Sequence, residues 1–199
     1  MKTVIVTGLL GSGKSAVCDF LRSWGVPVYD SDRETKALYT PALTARLEEA
    51  LGVPLAGADG QMDRARLAAL IFSDATARES LEAIVYPLLR QQFEAWRAAQ
   101  KAPFVVLESA VILSKPQFDG LADAVVLVTA PEELRLQRAA ARDGASPEAL
   151  RARMAAQPAI GPEQVTLSLV NDGSPEQLYS RVNQVFFDKK SYLCKLLNS

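Results

Sequence analysis

Histidine is absent from the sequence, and cysteine occurs only twice, at Cys18 and Cys194. Without histidine and without a C-x-x-C pair, the chain cannot form a zinc site of the usual ligand type or a histidine-based catalytic triad. Cys18 falls within a helical pattern, where a buried free thiol is expected, so the two cysteines predict no disulfide.

A strong net charge and a long apolar run are also missing. The formal net charge of the 199 residues is −1, which excludes a broadly basic surface and predicts no nucleic-acid partner. No apolar run is long enough to span a membrane, and the apolar start leads into a glycine-rich loop rather than a signal peptide. We therefore expect a cytoplasmic protein without a membrane partner. The apolar fraction of 49% and the charged fraction of 23% are those of an ordinary globular protein.

The N-terminal stretch MKTVIVTGLLGSGKS predicts a phosphate-binding site. Residues 3–7 are a β-branched run typical of a buried strand, and residues 8–15 satisfy G-x-x-x-x-G-K-[ST], the P-loop pattern. Its glycines let backbone amides approach a polyphosphate, while Lys14 can reach the β- and γ-phosphates and Ser15 can hold Mg²⁺. The predicted nucleotide contacts come from this loop and the following helical turn: Gly11, Ser12, Gly13, Lys14, Ser15 and Ala16. The alternative is a glycine-rich turn between strand and helix that binds no ligand.

A pair of carboxylates follows the second predicted strand, which covers residues 26–29 after a first helix ended by Gly25. Asp30 and Asp32 are alternate residues, so on an extended chain they share a face at the strand end, where open α/β sheets bind ligands. Phosphoryl transfer needs a carboxylate that orients or deprotonates the acceptor hydroxyl. The alternative is that either carboxylate caps a helix beginning near Arg33.

A long helical pattern separates the second strand from the third. Alanine, leucine, glutamate and arginine dominate residues 33–100, and β-branched residues become rare. The pattern predicts five helices, over residues 33–39, 41–51, 63–72, 75–85 and 87–99. This block is longer than a strand-to-strand crossover requires. We interpret it as an inserted subdomain that holds the second substrate, although helical packing alone explains most of its apolar positions.

The remaining strands and helices complete an alternating pattern. The strand over residues 104–107 ends in Glu108, a candidate carboxylate for Mg²⁺, and the strand over residues 124–128 ends before Thr129, a candidate helix cap. A last strand is predicted over residues 165–170 and a final helix over residues 175–197. Strands separated by helices, beginning with a phosphate loop, predict an α/β P-loop NTPase fold with a parallel sheet flanked by helices.

The helix that follows residue 131 carries an arginine-rich face. Arg135, Arg138 and Arg142 recur at helical spacing and share one side. These arginines either close over bound phosphates and stabilise charge in the transition state or form a solvated face. The guanine-reading N-K-x-D of switch GTPases is absent, and the short chain with one early P-loop favours a small-molecule kinase.

Four stretches of the chain together resemble dephospho-coenzyme A kinases. They are TGLLGSGKS at residues 7–15, VYDSD at residues 28–32, the helical block with DGQMDR at residues 59–64 and YPL at residues 86–88, and the segment from Leu136 to Gly173 with its NDG. The helical block is the most specific of the four because it lies outside the generic P-loop fold. The resemblance covers nearly the whole chain.

The resemblance implies ATP-dependent phosphorylation of the ribose 3′-hydroxyl of dephospho-coenzyme A, with Mg²⁺. By analogy Asp32 is the catalytic base, Asp30 a supporting carboxylate and Lys14 the bridge to the transferring phosphate. Ser15 and Glu108 are then the metal-side residues, and Arg138 and Arg142 contact phosphate. The implied organisation is a single domain over residues 1–199, as a monomer or small homo-oligomer. Its core covers residues 1–32, 101–141 and 165–199, its helical substrate subdomain residues 33–100, and its lid residues 142–164.

The chain departs from the family pattern at three places. It has Tyr86 where the family often has histidine, Glu108 where aspartate is more usual, and no arginine in residues 158–163, where the family's lid tends to carry arginines. Each missing guanidinium removes phosphate contacts of about 1.5–3 kcal/mol. Either the arginines Arg138, Arg142, Arg151 or Arg153 replace them, or the enzyme is slow. The alternatives are a kinase of the same fold acting on another nucleoside or nucleotide, and a nucleotide-binding protein with an impaired lid.

Overall fold

Five short strands form one parallel sheet in the computed structural model, which describes residues 1–198. The strands are β1 Lys2–Thr7, β2 Val28–Asp30, β3 Phe104–Glu108, β4 Ala124–Thr129 and β5 Leu167–Val170. Their order across the sheet is β2-β3-β1-β4-β5. The central strands are continuous apolar runs because helices cover both faces of a parallel sheet. The predicted parallel α/β sheet is confirmed; Ser199, which the predicted core includes, lies outside the described residues.

Helices connect the strands. They are α1 Lys14–Ser23, α2 Ser31–Leu38, α3 Pro41–Leu51, α4 Arg64–Ser73, α5 Ala75–Ala98, α6 Glu132–Asp143, α7 Pro147–Ala155, α8 Pro175–Phe186 and α9 Tyr192–Leu197. Short 3₁₀ turns cover Ile112–Ser114, Pro116–Phe118 and Pro162–Gln164. Across residues 1–198, none of the helices combines the length and apolar character needed to cross a membrane.

The chain divides into two compact units. The first comprises Met1–Asp30 and the chain from Gln100 onward, and it contains the whole sheet. Its core packs the sheet against the buried faces of α1 and α8. The second unit comprises Ser31–Ala99 and contains α2 to α5. Its own core is built from leucine-rich faces of α3, α4 and α5 together with Leu55 and Met62.

The sheet brings the ends of β1, β2 and β3 to one edge of the first unit. β1 is central, and Val6 of β1 lies opposite Glu108 at the end of β3. Asp30 at the end of β2 lies opposite Glu108 from the other side. The loop after β1 and these two carboxylates therefore share the carboxyl edge of the sheet, where α/β proteins bind their ligands.

Helix α5 runs through Pro87 without interruption, so the prediction of two helices meeting there is wrong. A proline inside a helix costs about 3 kcal/mol or more, because it removes a hydrogen bond and crowds the preceding turn. Buried residues at four-residue spacing, Leu81, Val85, Leu89 and Phe93, form one stripe across the proline. Each buried side chain contributes about 1.5–3 kcal/mol, so the stripe outweighs the local penalty.

The predicted C-terminal helix is also interrupted. α8 ends at Phe186, and α9 begins at Tyr192 after a turn. In the turn, Asp188 Oδ1 accepts a hydrogen bond from the Lys190 amide at 2.8 Å, and Ser191 Oγ accepts one from the Cys194 amide at 3.0 Å. These local bonds compete with continued helix, which is why aspartate and serine favour turns and caps.

The start of α6 also differs from the prediction. Thr129 is not a helix cap but the last residue of β4, where it pairs with Val170 of β5. The sheet ladder therefore extends beyond the apolar run that predicted the strand. Pro131 then takes the N-cap position of α6.

Both cysteines are free and buried, as expected for Cys18. Burial raises the pKa of the Cys18 thiol well above its ordinary value, and the neighbouring Glu108 carboxylate adds to the effect. A buried, protonated thiol reacts slowly because the thiolate is the nucleophile. We expect neither cysteine to react with a thiol reagent in the native protein and both to react in denaturant, measured by thiol titration. Rapid modification of the folded protein would contradict this placement.

Candidate active site

The loop between β1 and α1 is held in a conformation that only glycine adopts easily. Gly11 and Gly13 have φ angles of 77° and 93°, in the left-handed region. A Cβ on Gly11 would overlap the backbone of Arg135 in α6, and a Cβ on Gly13 would overlap the side-chain amide of Asn171. The glycines therefore allow two neighbouring segments to touch the loop.

Lys14 and Ser15 begin α1 at the end of this loop. Lys14 Nζ donates a hydrogen bond to the Gly8 carbonyl at 2.7 Å, so its ammonium group lies back across the loop. The N-terminal amides and the positive end of the α1 dipole face the same loop, which favours an anion there. The Lys14 ammonium group and the N-terminal end of α1 are therefore both placed where they can bind a polyphosphate.

Glu108 at the end of β3 contacts the first turn of α1. Its Oε1 accepts a hydrogen bond from Ser15 Oγ at 2.8 Å, and its Oε2 pairs with Arg22 Nη2 at 3.3 Å. Glu108 is only 7% exposed, and buried carboxylates of this kind are retained when they are paired and hydrogen-bonded. The structure therefore brings the two predicted metal-side residues together.

The fit of this pair to Mg²⁺ follows from its donor atoms. The Ser15 hydroxyl donates its hydrogen bond to Glu108, so the lone pairs of its oxygen remain available for a cation. Within residues 1–198, no cluster of three or more carboxylate or cysteine ligands could hold a metal by itself. Mg²⁺ is commonly held by one or two protein oxygens together with substrate phosphates and waters. The pair fits a Mg²⁺ ion that arrives with a nucleotide.

Asp30 and Asp32 occupy different elements. Asp30 ends β2 beside Glu108 in the first unit, whereas Asp32 lies in the first turn of α2, in the second unit. The prediction that they alternate along an extended chain is therefore wrong, because the helix already begins at Ser31. Asp32 is inside the helix rather than capping it. A carboxylate in a first turn is stabilised by the positive end of the helix dipole.

Tyr86 and Tyr39 are two partly buried phenols of the second unit, and Asp32 acts electrostatically on Tyr86. Burial raises the pKa of Tyr86 well above its ordinary value, and Glu82, Tyr39 and Asp32 raise it further. Burial likewise raises the pKa of Tyr39. Both phenols therefore stay protonated at neutral pH and can act as hydrogen-bond donors. Tyr86 stands where the resemblance led us to expect histidine.

Arg138 is tied to the loop through Asn171. Its Nη1 donates to the Asn171 carbonyl at 3.0 Å and its Nη2 to Asn171 Oδ1 at 3.3 Å. Asn171 Nδ2 in turn donates to the Ser12 carbonyl at 2.9 Å, in a buried contact. The predicted Arg138 thus lies one residue away from the loop. Asn171 was not among the predicted site residues, and no local pattern marks a contact that spans 159 positions.

Arg142 forms an ion pair at the far end of α6. Its Nε and Nη2 donate to the two carboxylate oxygens of Asp143 at 2.6 and 3.1 Å, and Arg153 Nη1 donates to the same carboxylate at 2.7 Å. The guanidinium of Arg142 and then that of Arg153 lower the pKa of Asp143 to about 2. Phosphate contact by Arg142 stays a prediction.

The segment after α7 touches the loop directly. Gln157 Oε1 accepts a hydrogen bond from the Leu10 amide at 2.6 Å, although 147 positions separate the two residues. A loop amide of the kind that binds phosphate is therefore already paired with a side chain from the predicted lid. In the sequence, Gln157 lies within the stretch from Leu136 to Gly173 that resembles the family.

Replacing Asn171 by alanine tests the link between α6 and the loop. The change leaves the Ser12 carbonyl without its side-chain partner and removes one of the two hydrogen bonds of Arg138, the one to Asn171 Oδ1, at a cost of about 1–3 kcal/mol. We expect a lower urea midpoint and an affinity for ATP reduced roughly 10-fold. Asn183→Ala, on the exposed face of α8, is the matched control. Equal unfolding and equal ATP titration curves for both variants would show that the link has no energetic role.

Comparison with known proteins identifies close relatives. A family model described as Dephospho-CoA kinase matches residues 2–174. Curated relatives named Dephospho-CoA kinase include one from Porphyromonas gingivalis, 40% identical over 79% of this chain and 78% of its own length. Another, from Frankia casuarinae, is 39% identical over 94% of this chain and 83% of its own length.

Solved structures agree with the sequence relatives in fold. The structure of TT1252 from Thermus thermophilus is 35% identical, with a TM-score of 0.80 over 96% of this chain and 98% of that one. A structure titled as a Dephospho-CoA kinase from Campylobacter jejuni has a TM-score of 0.67 and 23% identity, covering 94% of this chain and 96% of that one. The latter similarity concerns the P-loop kinase fold alone.

Proposed function

The chain belongs to the dephospho-CoA kinase family, and on that premise we propose that it transfers the γ-phosphoryl group of ATP to the ribose 3′-hydroxyl of dephospho-CoA. The products are CoA and ADP, as in the last step of coenzyme A synthesis. The observation that carries the proposal is the family match over residues 2–174, which includes the P-loop and the whole helical unit.

The P-loop end of α1 is proposed to bind the triphosphate of ATP. Support comes from Lys14 across the loop, from the amides of residues 11–16 at the start of α1, and from the two left-handed glycines. Ser15, with Glu108 behind it, is proposed to hold Mg²⁺. Held there together with a nucleotide, Mg²⁺ would supply positive charge that neutralises the charge developing on the phosphates.

Acceptance of the substrate proton is assigned to Asp32, with Asp30 as a supporting carboxylate. A carboxylate base suits phosphoryl transfer because it orients the acceptor hydroxyl and takes its proton as the new P–O bond forms. Support comes from the position of Asp32 at the start of α2 and from its electrostatic interaction with the Tyr86 phenol. Arg138, which is linked to the loop through Asn171, is proposed to stabilise charge on the transferring group.

Membership of the family also assigns roles to the helical block and to the predicted lid. The helical block over residues 33–100 is proposed to bind the acceptor, and residues 142–164 are proposed to act as a lid over the nucleotide. Support for the lid is the Gln157 contact with the Leu10 amide. A lid that closes over the phosphates excludes water and completes the charge-stabilising groups.

Coupled ADP release from purified protein with ATP and Mg²⁺ tests the proposed function. We expect turnover with dephospho-CoA and a product heavier by one phosphoryl group, identified by mass spectrometry. Nucleosides, nucleotides and shikimate serve as competing acceptors, and Lys14→Met serves as a control against contaminating kinases. Turnover with another acceptor but not with dephospho-CoA would overturn the proposal. Tight ATP binding without turnover on any acceptor would instead indicate a nucleotide-binding protein.

A further inference from the structure

A cavity of about 280 Å³ lies beside the loop in the first unit. Most of its lining is apolar, and it is formed by the loop, the end of β4, α6 and the segment after α7. The residues that matter here are Leu9, Ser12, Arg135, Gln157 and Ile160. Among the residues that the structure describes, Arg135 is the one charged residue that lines the cavity. A single cation in a largely apolar cavity beside a P-loop suggests a place for an anion.

Arg135 carries a hydrogen-bond donor without an acceptor. Its Nη1 is buried and has no hydrogen-bond partner within residues 1–198, and the same holds for Ser12 Oγ. Buried polar atoms are nearly always paired, and leaving one unpaired costs free energy, so each such atom needs an explanation. Both atoms belong to residues that line the cavity. An anion that enters the cavity could accept from both.

The position of Arg135 is fixed by its backbone. Its carbonyl region packs so closely on Gly11 that a Cβ there would overlap it. Arg135 also lies in the first turn of α6, one turn before Arg138, which is bonded to Asn171. The guanidinium therefore extends from a backbone that touches the loop itself.

Several other cations of this region already have partners within the chain. Lys14 donates to the Gly8 carbonyl, and Arg138 donates to Asn171. Arg142 and Arg153 share the carboxylate of Asp143. Residues 158–163 contain no lysine or arginine. Among the arginines of α6 in the described chain, Arg135 is the one with a buried donor that lacks an acceptor.

We propose that Arg135 contacts the terminal phosphate of the bound nucleotide and supplies the positive charge that residues 158–163 lack. The reaction it serves rests on the proposed function, whereas the phosphate contact applies to any nucleoside triphosphate held by the loop. Ser12 Oγ donates to the same phosphate oxygens. The apolar walls around Ile160 and Leu9 exclude water, which strengthens a charge-assisted hydrogen bond.

Nucleotide affinity as a function of phosphate number tests this contact without any acceptor. Titrations with ATP, ADP and AMP are compared for the wild type, Arg135→Gln and Arg135→Lys. We expect Arg135→Gln to weaken ATP binding about 10-fold or more and AMP binding less than about 2-fold, because a charged hydrogen bond to the terminal phosphate is lost. Lysine should restore part of the affinity for ATP. Arg46→Gln, which removes an exposed arginine from α3, should leave all three affinities unchanged.

The outcomes separate a phosphate contact from a structural role. Equal weakening of ATP, ADP and AMP, together with a lower melting temperature, would overturn the proposal and assign Arg135 a packing role. Unchanged ATP affinity in Arg135→Gln would overturn it as well. If the wild type binds ATP without phosphorylating dephospho-CoA, the proposed function fails, but the comparison among the three nucleotides still decides the role of Arg135.

Discussion

Asp32→Asn is expected to lower kcat by about 10²–10⁴-fold and to change the affinity for ATP by less than about 2-fold. The amide keeps the size of the side chain but cannot accept the proton of the acceptor hydroxyl. The groups proposed to bind ATP, including Lys14 and Ser15, lie at the end of β1 and the start of α1, outside the unit that contains Asp32. Single-turnover phosphoryl transfer and ATP titration measure the two quantities separately.

Two comparisons determine whether the loss reflects proton transfer. Asp188→Asn makes the same chemical change in the exposed turn between α8 and α9 and should leave kcat unchanged. A titration with Mg²⁺ distinguishes a base from a metal ligand, because excess metal restores activity only when the lost carboxylate held the ion. Recovery of Asp32→Asn at high Mg²⁺, or a kcat within about 3-fold of the wild type, would contradict the assignment of Asp32 as base.

The strands and loops that depend on residues close together in the sequence could be predicted from the sequence alone. The β-branched run of β1 and the glycines after it determine a strand and a loop within 15 residues, so neither depends on distant partners. The apolar runs of β3 and β4 are similarly local, and the alternation of strands with helices leads to the parallel sheet. Helical spacing predicts that Arg138 shares a face with Arg135 and Arg142, but it does not predict the contact of Arg138 with Asn171.

What could not be predicted depends on contacts across the chain. Asn171 and Gln157 touch the loop from 159 and 147 positions away, and neither residue type is informative without the fold. Pro87 gives a strong local signal for a helix end, but the buried stripe of α5 overrides it. The start of α2 at Ser31 is a third case, because two aspartates beside a strand fit both an extended chain and a helix.

Gly11→Ala is expected to abolish measurable ATP binding, with a loss of at least about 100-fold, and to destabilise the protein. The left-handed φ of 77° costs alanine about 1–2 kcal/mol. The added Cβ would also overlap the backbone of Arg135, which is fixed within α6 and cannot rotate aside as a side chain could. The loop must therefore move, and its amides leave the positions that face a phosphate.

Gly25→Ala provides the matched control for this change. Gly25 has a φ of 79°, nearly that of Gly11, but apart from Gly25 and its two neighbours no atom of residues 1–198 lies within 4 Å of the position its Cβ would take. Alanine at Gly25 therefore meets the backbone strain alone, about 1–2 kcal/mol, and ATP affinity should be unchanged. Urea unfolding and ATP titration of both variants separate the overlap with the Arg135 backbone from the strain of the positive φ angle.

Two outcomes decide the role of this contact. If Gly11→Ala loses no more stability than Gly25→Ala and still binds ATP, contact between the loop and the α6 backbone does not hold the loop in place. If Gly11→Ala alone loses ATP binding, the packing of Arg135 on the loop is a requirement for the nucleotide site.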